Sequence, residues 1–306
     1  MRMFDMSNDS PLFRTAAQLD GLGARRQGVN WVESLGPVWV PLYEAKMGDF
    51  YDHRAAGYGT RGNSRGYRVL PETSDEQHRD PTFEPTPFYW VPEREVKSRL
   101  RAVQWGRDWL FGFKNVTSVT NERTFVGNIL PIWGLGNSMP ALFIQECEPH
   151  RILGFVANIN SMVFDYCARQ KTGGINLNFF YVKQFPVLPP AIYGQLESAF
   201  IVPRVLELIY VSHAMKPFAD DMGYGGPIFS WNLERRAVLR AELDAYYARL
   251  YGLTRDELRY ILDPADVMGE DYPSETFRVL KEKELRTFGE YRTRRLVLEA
   301  WDRLPE

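Results

Sequence analysis

The chain has 306 residues, of which 44% are hydrophobic and 25% are charged, a composition typical of a globular protein with one large core or two smaller ones. No window reaches the roughly 18 consecutive apolar residues that a membrane-spanning helix needs, and the first ten residues lack the apolar core of a secretory signal, so we expect a cytoplasmic protein with no membrane partner. Cys147 and Cys167 lie far apart and form no CxxC pair, which argues against a disulfide framework or a structural zinc site and predicts buried thiols.

The net charge of -2 is distributed unevenly along the chain. Residues 1–90 carry 10 basic and 12 acidic side chains, 91–190 carry 11 and 7, 191–251 carry 6 and 7, and 252–306 carry 10 and 13. A groove that neutralises phosphates needs local positive potential rather than a basic whole protein. The middle of the chain is therefore the predicted place of any DNA contact, with ordinary fluctuation of surface charge as the alternative.

The first part of the chain is predicted to mix short strands with long loops. Two β-rich runs lie around residues 38–43. Residues 59–92 are rich in Gly, Pro and charge and lack apolar periodicity, which predicts a long loop or insertion. The run at 109–131 is predicted to form strands broken at Gly112 and Asn121.

Apolar residues at three- and four-residue spacing predict an amphipathic helix over 151–169. On its other side Asp165 and Arg169 lie one turn apart and can form an ion pair. After the turn at Gly173 and Gly174, residues 175–190 are predicted to form a strand that is stopped by prolines.

The last part of the chain is predicted to be helical. One helix is expected to begin at about Pro203, and a clearer one follows Asn232 as its capping residue and ends before Gly252. Thr254 and Glu257 have the spacing of a capping box at the start of a further helix, and the C-terminal residues again show a helical pattern.

Together these elements predict an α+β fold. Residues 1–190 are expected to form a mixed strand-and-loop domain in which 59–92 is the long loop or insertion. Residues 191–306 are expected to form a helical C-terminal domain.

No catalytic motif is complete. The Gly pairs in GLGARR and WGLGNS lack the strand-to-helix context of a nucleotide-binding fingerprint, and the Gly-rich turn and Asn/Asp-Pro-Pro-aromatic loop of an AdoMet-dependent methyltransferase do not occur. The histidines have no ligand spacing, which argues against a metal site; they are His53, His78, His150 and His213.

One partial motif keeps an enzyme among the alternatives. Glu44 and Lys46 match the Glu-x-Lys half of a PD-ExK nuclease site, which would also need a separate acidic residue, such as Asp20 or Asp49, to hold magnesium. A magnesium-dependent DNA nuclease that uses Glu44 and Lys46 is therefore an alternative function.

Amide and basic side chains are interleaved in the basic middle of the chain. Asn and Gln pair with adenine edges, Arg and Lys pair with guanine, and short polar groups bind phosphates. Two of these residues also have a purely structural interpretation, since Asn121 can cap a turn and Arg169 can pair with Asp165. Arg123, Lys171 and Lys183 are expected to contact phosphates or guanine. Asn121, Asn176 and Asn178 are expected to contact base edges. The candidate DNA-binding residues are Asn121, Arg123, Thr124, Arg169, Lys171, Asn176, Asn178 and Lys183.

Five stretches, read together, resemble a known family. They are PLYEAKMGDFYDHRAAGY, TNERTFVGNILP, NSMVFDYCARQKTGGINLNFFYVKQFPVLPP, RRAVLRAELDAYYARLYGL and the closing DPADVMGEDYPSETFRVLKEKELRTFGEYRTRRLVLEAW. From about Trp31 to Trp301 the chain is similar to the region that follows the catalytic domain in large adenine-specific DNA methyltransferases. Those proteins include type IIG restriction-modification enzymes, the DISARM defence methyltransferase and, more distantly, BREX PglX.

The resemblance implies a TaqI-like specificity region, a target-recognition domain that clamps duplex DNA while an upstream domain flips and methylates adenine. It implies no catalytic residue, metal or cofactor on this chain, with AdoMet expected on the missing catalytic part or partner. The chain is then either an excised or split C-terminal part or a separate subunit.

The expected partners are duplex DNA, bound in the major groove, and a methyltransferase catalytic domain or subunit together with other antiviral defence proteins. The C-terminal helices would then form a supporting bundle or a partner-docking surface. A purely structural protein-interaction module of a defence complex is the remaining alternative.

Overall fold

The structure is a computed structural model that describes residues 1–59, 69–273 and 275–305. Its strands are β1 (Arg25–Gln27), β2 (Asn30–Val32), β3 (Val38–Tyr43), β4 (Tyr89–Pro92), β5 (Trp109–Phe113), β6 (Gly127–Pro131) and β7 (Gly134–Leu135). Its helices are α1 (Ala16–Gly21), α2 (Asp75–Arg79), α3 (Glu93–Ala102), α4 (Pro149–Ile159), α5 (Met162–Lys171), α6 (Phe179–Val182), α7 (Gln195–Ile209), α8 (Lys216–Asp221), α9 (Leu233–Leu250), α10 (Arg255–Leu262), α11 (Ala265–Met268), α12 (Arg278–Phe288) and α13 (Arg292–Arg303). The fold is α+β with a helical C-terminal part, which confirms the predicted fold class.

The described chain divides into two compact units, each made of several segments. The first unit contains Met1–Asn115, Gly127–Pro149 and Ile209–Trp231, and the second contains Val116–Val126, His150–Leu208 and Asn232–Glu306. This division differs from the single boundary at residue 190 drawn from the sequence, because segments that are distant along the chain join the same unit.

The first unit is built around a small mixed sheet. Strands β1, β2, β3 and β4 are antiparallel neighbours in that order, and β7 adds to β3 in parallel. Strands β5 and β6 form a separate antiparallel pair. A cluster of buried apolar side chains packs beside the first sheet: Leu19, Ala24, Trp31, Trp39 and Trp90.

A charged group lies inside the first unit. Arg54 is fully buried, and its guanidinium donates to the carbonyl oxygens of His78, Asp80 and Val211 at 2.9–3.0 Å, with a longer bond to Phe83. Hydrogen bonds to several neutral carbonyls replace the water that burial removes. Arg54 therefore holds distant segments of this unit together.

The second unit is a helical assembly in which α9 packs along α13 and both α5 and α10 complete the core. The contact face of α9 carries Ala241, Ala245 and Ala248, all buried, at intervals of three and four residues. Small side chains at this spacing place the helix axes close together. Val297 and Leu258 from the neighbouring helices fill the space beside the alanines.

Local capping signals in this unit are confirmed. The Asn232 side chain accepts a hydrogen bond from the Arg235 N–H at 2.9 Å, and Gly252 after α9 has a left-handed φ of 75°. Thr254 and Glu257 form the reciprocal capping box at the start of α10.

Two other predictions are confirmed. Residues Val38–Tyr43 form a strand in the first unit, and Asp165 and Arg169 form an ion pair in the second.

The predicted helix over 151–169 is two helices, α4 and α5, separated at Asn160 and Ser161. Ser161 ends the continuity because its hydroxyl caps α5, accepting from the Phe164 N–H at 3.3 Å. Apolar periodicity continues across the break because both helices bury one face, so the pattern alone did not reveal it.

The prediction of a strand over 175–190 is wrong, because this stretch contains the short helix α6 after Asn178. The helix predicted to begin at Pro203 begins at Gln195, and the proline lies inside it.

Cys147 and Cys167 are free thiols that are half-buried, whereas the sequence predicted buried ones. Burial raises the pKa of the Cys167 thiol.

The described part of 59–92 is not a bare loop, because it contains α2 and β4, the last strand in the order of the first sheet. Residues 60–68 of the predicted insertion lie outside the described residues.

Gly112 does not break β5 but lies within it, paired with Asn128 and bridged to Ala141. A Cβ at Gly112 would lie 3.3 Å from the Pro140 carbonyl oxygen, so the glycine permits this close approach. Within the ranges that the structure describes, no helix has both the length and the apolarity to cross a membrane.

Candidate nucleic-acid interface

A buried carboxylate fixes the loop at 116–126 to helix α5 in the second unit. Asp165 is fully buried, and its carboxylate accepts the backbone N–H of Thr124 at 2.9 Å and of Phe125 at 2.6 Å. The same carboxylate lies 3.0 Å from Nε of Arg169 and 3.6 Å from Nε of Arg123. Charge-assisted bonds of this kind are short and directional, so Asp165 sets the position of the loop.

Arg169 completes this anchor. Its Nε donates to Asp165, and the central carbon of its planar guanidinium lies 4.6 Å from the centre of the Phe277 ring. A guanidinium has five N–H donors, and Arg169 directs the other four to backbone carbonyls at 2.7–2.9 Å. These carbonyls belong to Val119, Asn121, Glu122 and Thr276. Because all its donors are bonded inside the protein, Arg169 is an anchoring residue. This agrees with the structural interpretation given for it above, the ion pair with Asp165.

Arg123 and Thr124 are also directed inward. The Arg123 guanidinium is buried and donates to the Asn160 carbonyl oxygen and to the Met162 sulfur. Thr124 is fully buried, and its carbonyl oxygen accepts from the Thr117 hydroxyl at 2.6 Å. The expectation that these two side chains contact DNA is therefore corrected to a supporting role, because neither side chain is presented to a ligand.

A second buried carboxyl lies in the same network. Asp244 on α9 accepts the Met162 N–H at 2.7 Å. Burial raises the pKa of the Asp244 carboxyl from 3.8 to about 6, although the nearby positive charge of Arg123 opposes that rise. The interior of this unit thus holds an acid that titrates close to neutral pH.

The other predicted contacts lie on an exposed part of the same unit. Lys171, Asn178 and Lys183 are exposed, Asn176 is half-buried, and Asn121 is exposed at the neighbouring loop. We call residues 171–184 the recognition segment. The segment is tied to the anchored loop by backbone pairing, in which the Thr117 N–H donates to the Ile175 carbonyl at 3.0 Å and residues 116 and 176 form a β-bridge.

The positive charge of the recognition segment is not neutralised locally. In the described ranges 1–59, 69–273 and 275–305, Lys171 and Lys183 are the two lysines without an ion pair. The other six each lie within 4.0 Å of a carboxylate oxygen. Residues 166–196 contain no Asp or Glu. This acid-free stretch is the sequence signal that singles out the two lysines, and averaging charge over 91–190 hid it.

Two large apolar side chains of the recognition segment also face solvent. Ile175 is 69% exposed and Phe180 is 72% exposed. Sequence reasoning missed both, because they were assigned to a strand. An apolar side chain beside lysines and amides can contact thymine methyl groups or base faces.

The residues of the nuclease alternative have structural partners in the first unit. Glu44 is buried and accepts the Tyr58 hydroxyl at 2.8 Å. Lys46 lies 3.9 Å from that carboxylate and 4.9 Å over the Tyr58 ring. Across the described residues, no group of three or more His, Cys, Asp or Glu side chains lies close enough to hold a metal ion.

Two histidines that showed no pattern in the sequence lie in a buried polar network of the first unit. His53 Nε2 lies 3.0 Å from a Glu84 oxygen and 3.5 Å from the Ser212 hydroxyl. A catalytic Ser-His-acid relay needs the serine and the acid on opposite ring nitrogens, whereas here both contact Nε2 and Ser212 is fully buried. The arrangement therefore lacks the geometry of such a relay.

The adjacent histidine has a similar setting. His78 Nε2 lies 3.1 Å from the Asp52 carboxylate, and the His78 ring stacks on Trp231 at 3.8 Å. Asp52, His53 and Arg54 are consecutive in the first stretch that carries the family resemblance. All three are buried, so this motif organises the interior of its unit.

No family model, no curated protein and no solved structure matches this chain. The resemblance to adenine-specific DNA methyltransferases therefore rests on the five sequence stretches alone.

Proposed function

We propose that this chain is the target-recognition part of an AdoMet-dependent DNA adenine methyltransferase in restriction-modification or phage defence. In this proposal it binds duplex DNA through the recognition segment. The observation that carries the proposal is a pair of exposed lysines, Lys171 and Lys183, which form no ion pair with any described residue and lie in a stretch that has no acidic residue.

The two lysines are suited to phosphates because no neighbouring carboxylate has to be displaced. Each phosphate that a lysine neutralises releases condensed counterions, so binding weakens with salt by about 0.9 log unit per log unit of salt for each contact. Asn121, Asn176 and Asn178 carry the amide groups that pair with adenine edges. The anchor formed by Asp165 and Arg169 supports the segment from within, since a recognition surface needs a fixed backbone.

The chemistry of methylation belongs elsewhere in this proposal. Extrusion of an adenine requires a pocket for the flipped base and a bound AdoMet, while a second surface holds the flanking duplex. This chain would supply the second surface in the cytoplasm, and a methyltransferase catalytic domain or subunit would supply the pocket and the cofactor.

The first experiment measures retention of a random duplex DNA pool by the purified chain across a salt series, with sequencing of the retained DNA. We expect affinity to fall linearly in log salt and one short motif to be enriched. Absence of binding at low salt contradicts the proposal.

A pair of variants locates the surface. Replacement of Lys171 and Lys183 by alanine should lower the salt slope by about 1.8 and weaken binding roughly sixtyfold at 0.1 M salt, because two phosphate contacts are lost. The control replaces Lys97 and Lys216, whose side chains are 53% and 60% exposed and ion-paired, and should leave affinity unchanged. Equal loss of affinity in both double variants would show that DNA binding depends on the net charge of the chain and not on the recognition segment.

A further inference from the structure

A short β-hairpin in the first unit presents arginines outward. Strands β1 and β2 pair from Arg25 opposite Val32 to Gln27 opposite Asn30, which leaves a two-residue loop of Gly28 and Val29. Gly28 has a φ of 62°, while Val29 has no positive φ. Positive φ at the first loop residue alone is the pattern of a type II′ turn, whose twist matches that of the paired strands.

One side of the hairpin is fixed by aromatic packing. Trp31 on β2 is buried, and its ring meets that of Trp90 edge to face at 6.2 Å. The Trp90 indole N–H donates to the carbonyl oxygen of Val29 at 2.7 Å and so holds the turn itself. The hairpin is therefore held in one conformation, and little order has to be gained when it binds a partner.

The other strand buries none of its side chains. Arg25, Arg26 and Gln27 are all exposed, whereas a strand that covers a core alternates between exposed and buried residues. Arg26 donates to the Gly28 carbonyl at 3.0 Å and to the Thr86 hydroxyl at 3.2 Å. Both acceptors are neutral, so these bonds orient the guanidinium without cancelling its charge.

Neither arginine of β1 has an ion pair with any residue that the structure describes. Two other exposed arginines of this unit do have one, since Arg79 lies 3.9 Å from Asp75 and Arg94 lies 3.8 Å from Glu95. Arg2 and Arg101 are exposed and, like the two arginines of β1, have no ion pair among the described residues. Residues 21–32 contain no acidic side chain. The hairpin thus carries two positive charges that no described residue pairs with, and because Arg25 and Arg26 are consecutive on a strand, they point to opposite faces of the hairpin.

We propose that this hairpin, residues 24–32, is a second contact to duplex DNA in which Arg25 and Arg26 bind backbone phosphates. The proposal rests on the proposed function, because the same duplex is the ligand. Guanidinium groups bind phosphate oxygens through paired N–H donors, and a two-stranded ribbon is narrow enough to lie along a major groove. Gln27 lies next to the arginines on β1 and could meet a base edge there.

The test compares double variants of the full chain in the same salt series. Replacement of Arg25 and Arg26 by alanine should lower the salt slope by about 1.8 and weaken binding roughly sixtyfold at 0.1 M salt. Replacement of both by lysine should restore the slope, because the charge is kept. The control replaces Arg79 and Arg94, whose side chains are 65% and 76% exposed and ion-paired, and should bind like the wild type.

The outcomes separate this inference from the proposed function. If the wild type binds and only the variant of Lys171 and Lys183 is weakened, the hairpin proposal is overturned and the recognition segment stands. If only the variant of Arg25 and Arg26 is weakened, the hairpin stands and the recognition segment fails. Absence of wild-type binding overturns both, and unchanged melting temperatures confirm that the exposed substitutions left the fold intact.

Discussion

The buried acid Asp244 predicts an unusual pH dependence of stability. Its pKa is raised from 3.8 to about 6 by burial. A shift of this size corresponds to about 3 kcal/mol of preference for the protonated form in the folded chain. Between these two pKa values the folded chain keeps a proton that the unfolded chain has lost, so the free energy of unfolding attributable to Asp244 falls as pH rises from about 4 to 6. Above pH 6 the whole penalty is present.

Replacement of Asp244 by asparagine should remove this penalty. The asparagine oxygen can still accept the Met162 N–H, while Arg123 keeps its ion pair with Asp165. We expect the variant and the wild type to be similar near pH 4, and the variant to be more stable by up to about 3 kcal/mol at pH 8. Urea unfolding across this pH range measures the difference in free energy of unfolding between the two chains. The contributions of the other titrating groups are common to both chains and cancel in that difference.

The same substitution at an exposed acid provides the control. Hydrogen bonds from Arg255 lower the pKa of Asp302, so its ionised form stabilises the folded chain above the ordinary pKa, and that contribution is lost as pH falls. Replacement of Asp302 by asparagine should therefore make the chain slightly less stable at pH 8, the opposite sign to Asp244. Parallel pH curves for the wild type and the Asp244 variant would refute this reasoning.

Two further substitutions test the interior of the second unit. Replacement of Asp165 by alanine should cost about 3–5 kcal/mol in urea unfolding, because the buried arginines lose their shared carboxylate; a loss below 1 kcal/mol would contradict its anchoring role. Replacement of Gly154 by alanine should cost about 1–3 kcal/mol, because the new Cβ would lie 2.6 Å from the Tyr193 ring. Gly174, which has nothing within 4 Å of an added Cβ, is its control and should change stability little.

Local structure was predictable where one short signal decides it. The cap at Asn232 and the capping box of Thr254 and Glu257 involve atoms three residues apart, so the sequence contains the whole interaction. The break before α5 was missed because Ser161 caps a helix in the middle of a continuous apolar pattern. Helix α6 was missed because aromatic residues between prolines also suit a strand.

The candidate site shows the limit of sequence reasoning more clearly. Spacing revealed that Arg169 can reach Asp165, but its four carbonyl acceptors come from residues up to 107 positions away. Only the structure shows that those bonds use its remaining donors and remove it from the surface. Conversely, whether Lys171 and Lys183 have ion-pair partners depends on neighbours in space, and among the described residues they have none. The acid-free stretch around them was visible in the sequence.

The buried motifs and the exposed segments bear on different parts of the proposed function. Asp52, His53 and Arg54 and the pair of Asp165 and Arg169 lie in two of the stretches on which the resemblance rests, and all of them bond within the protein. Residues in such positions can preserve an architecture whatever DNA sequence is bound. In this proposal target choice would instead depend on the amides of Asn121, Asn176 and Asn178, because phosphate contacts carry no sequence information. Substitution of these asparagines should change which DNA is retained, and substitution of the phosphate-binding lysines and arginines should weaken binding to all DNA alike. Substitutions in the buried motifs should lower stability first.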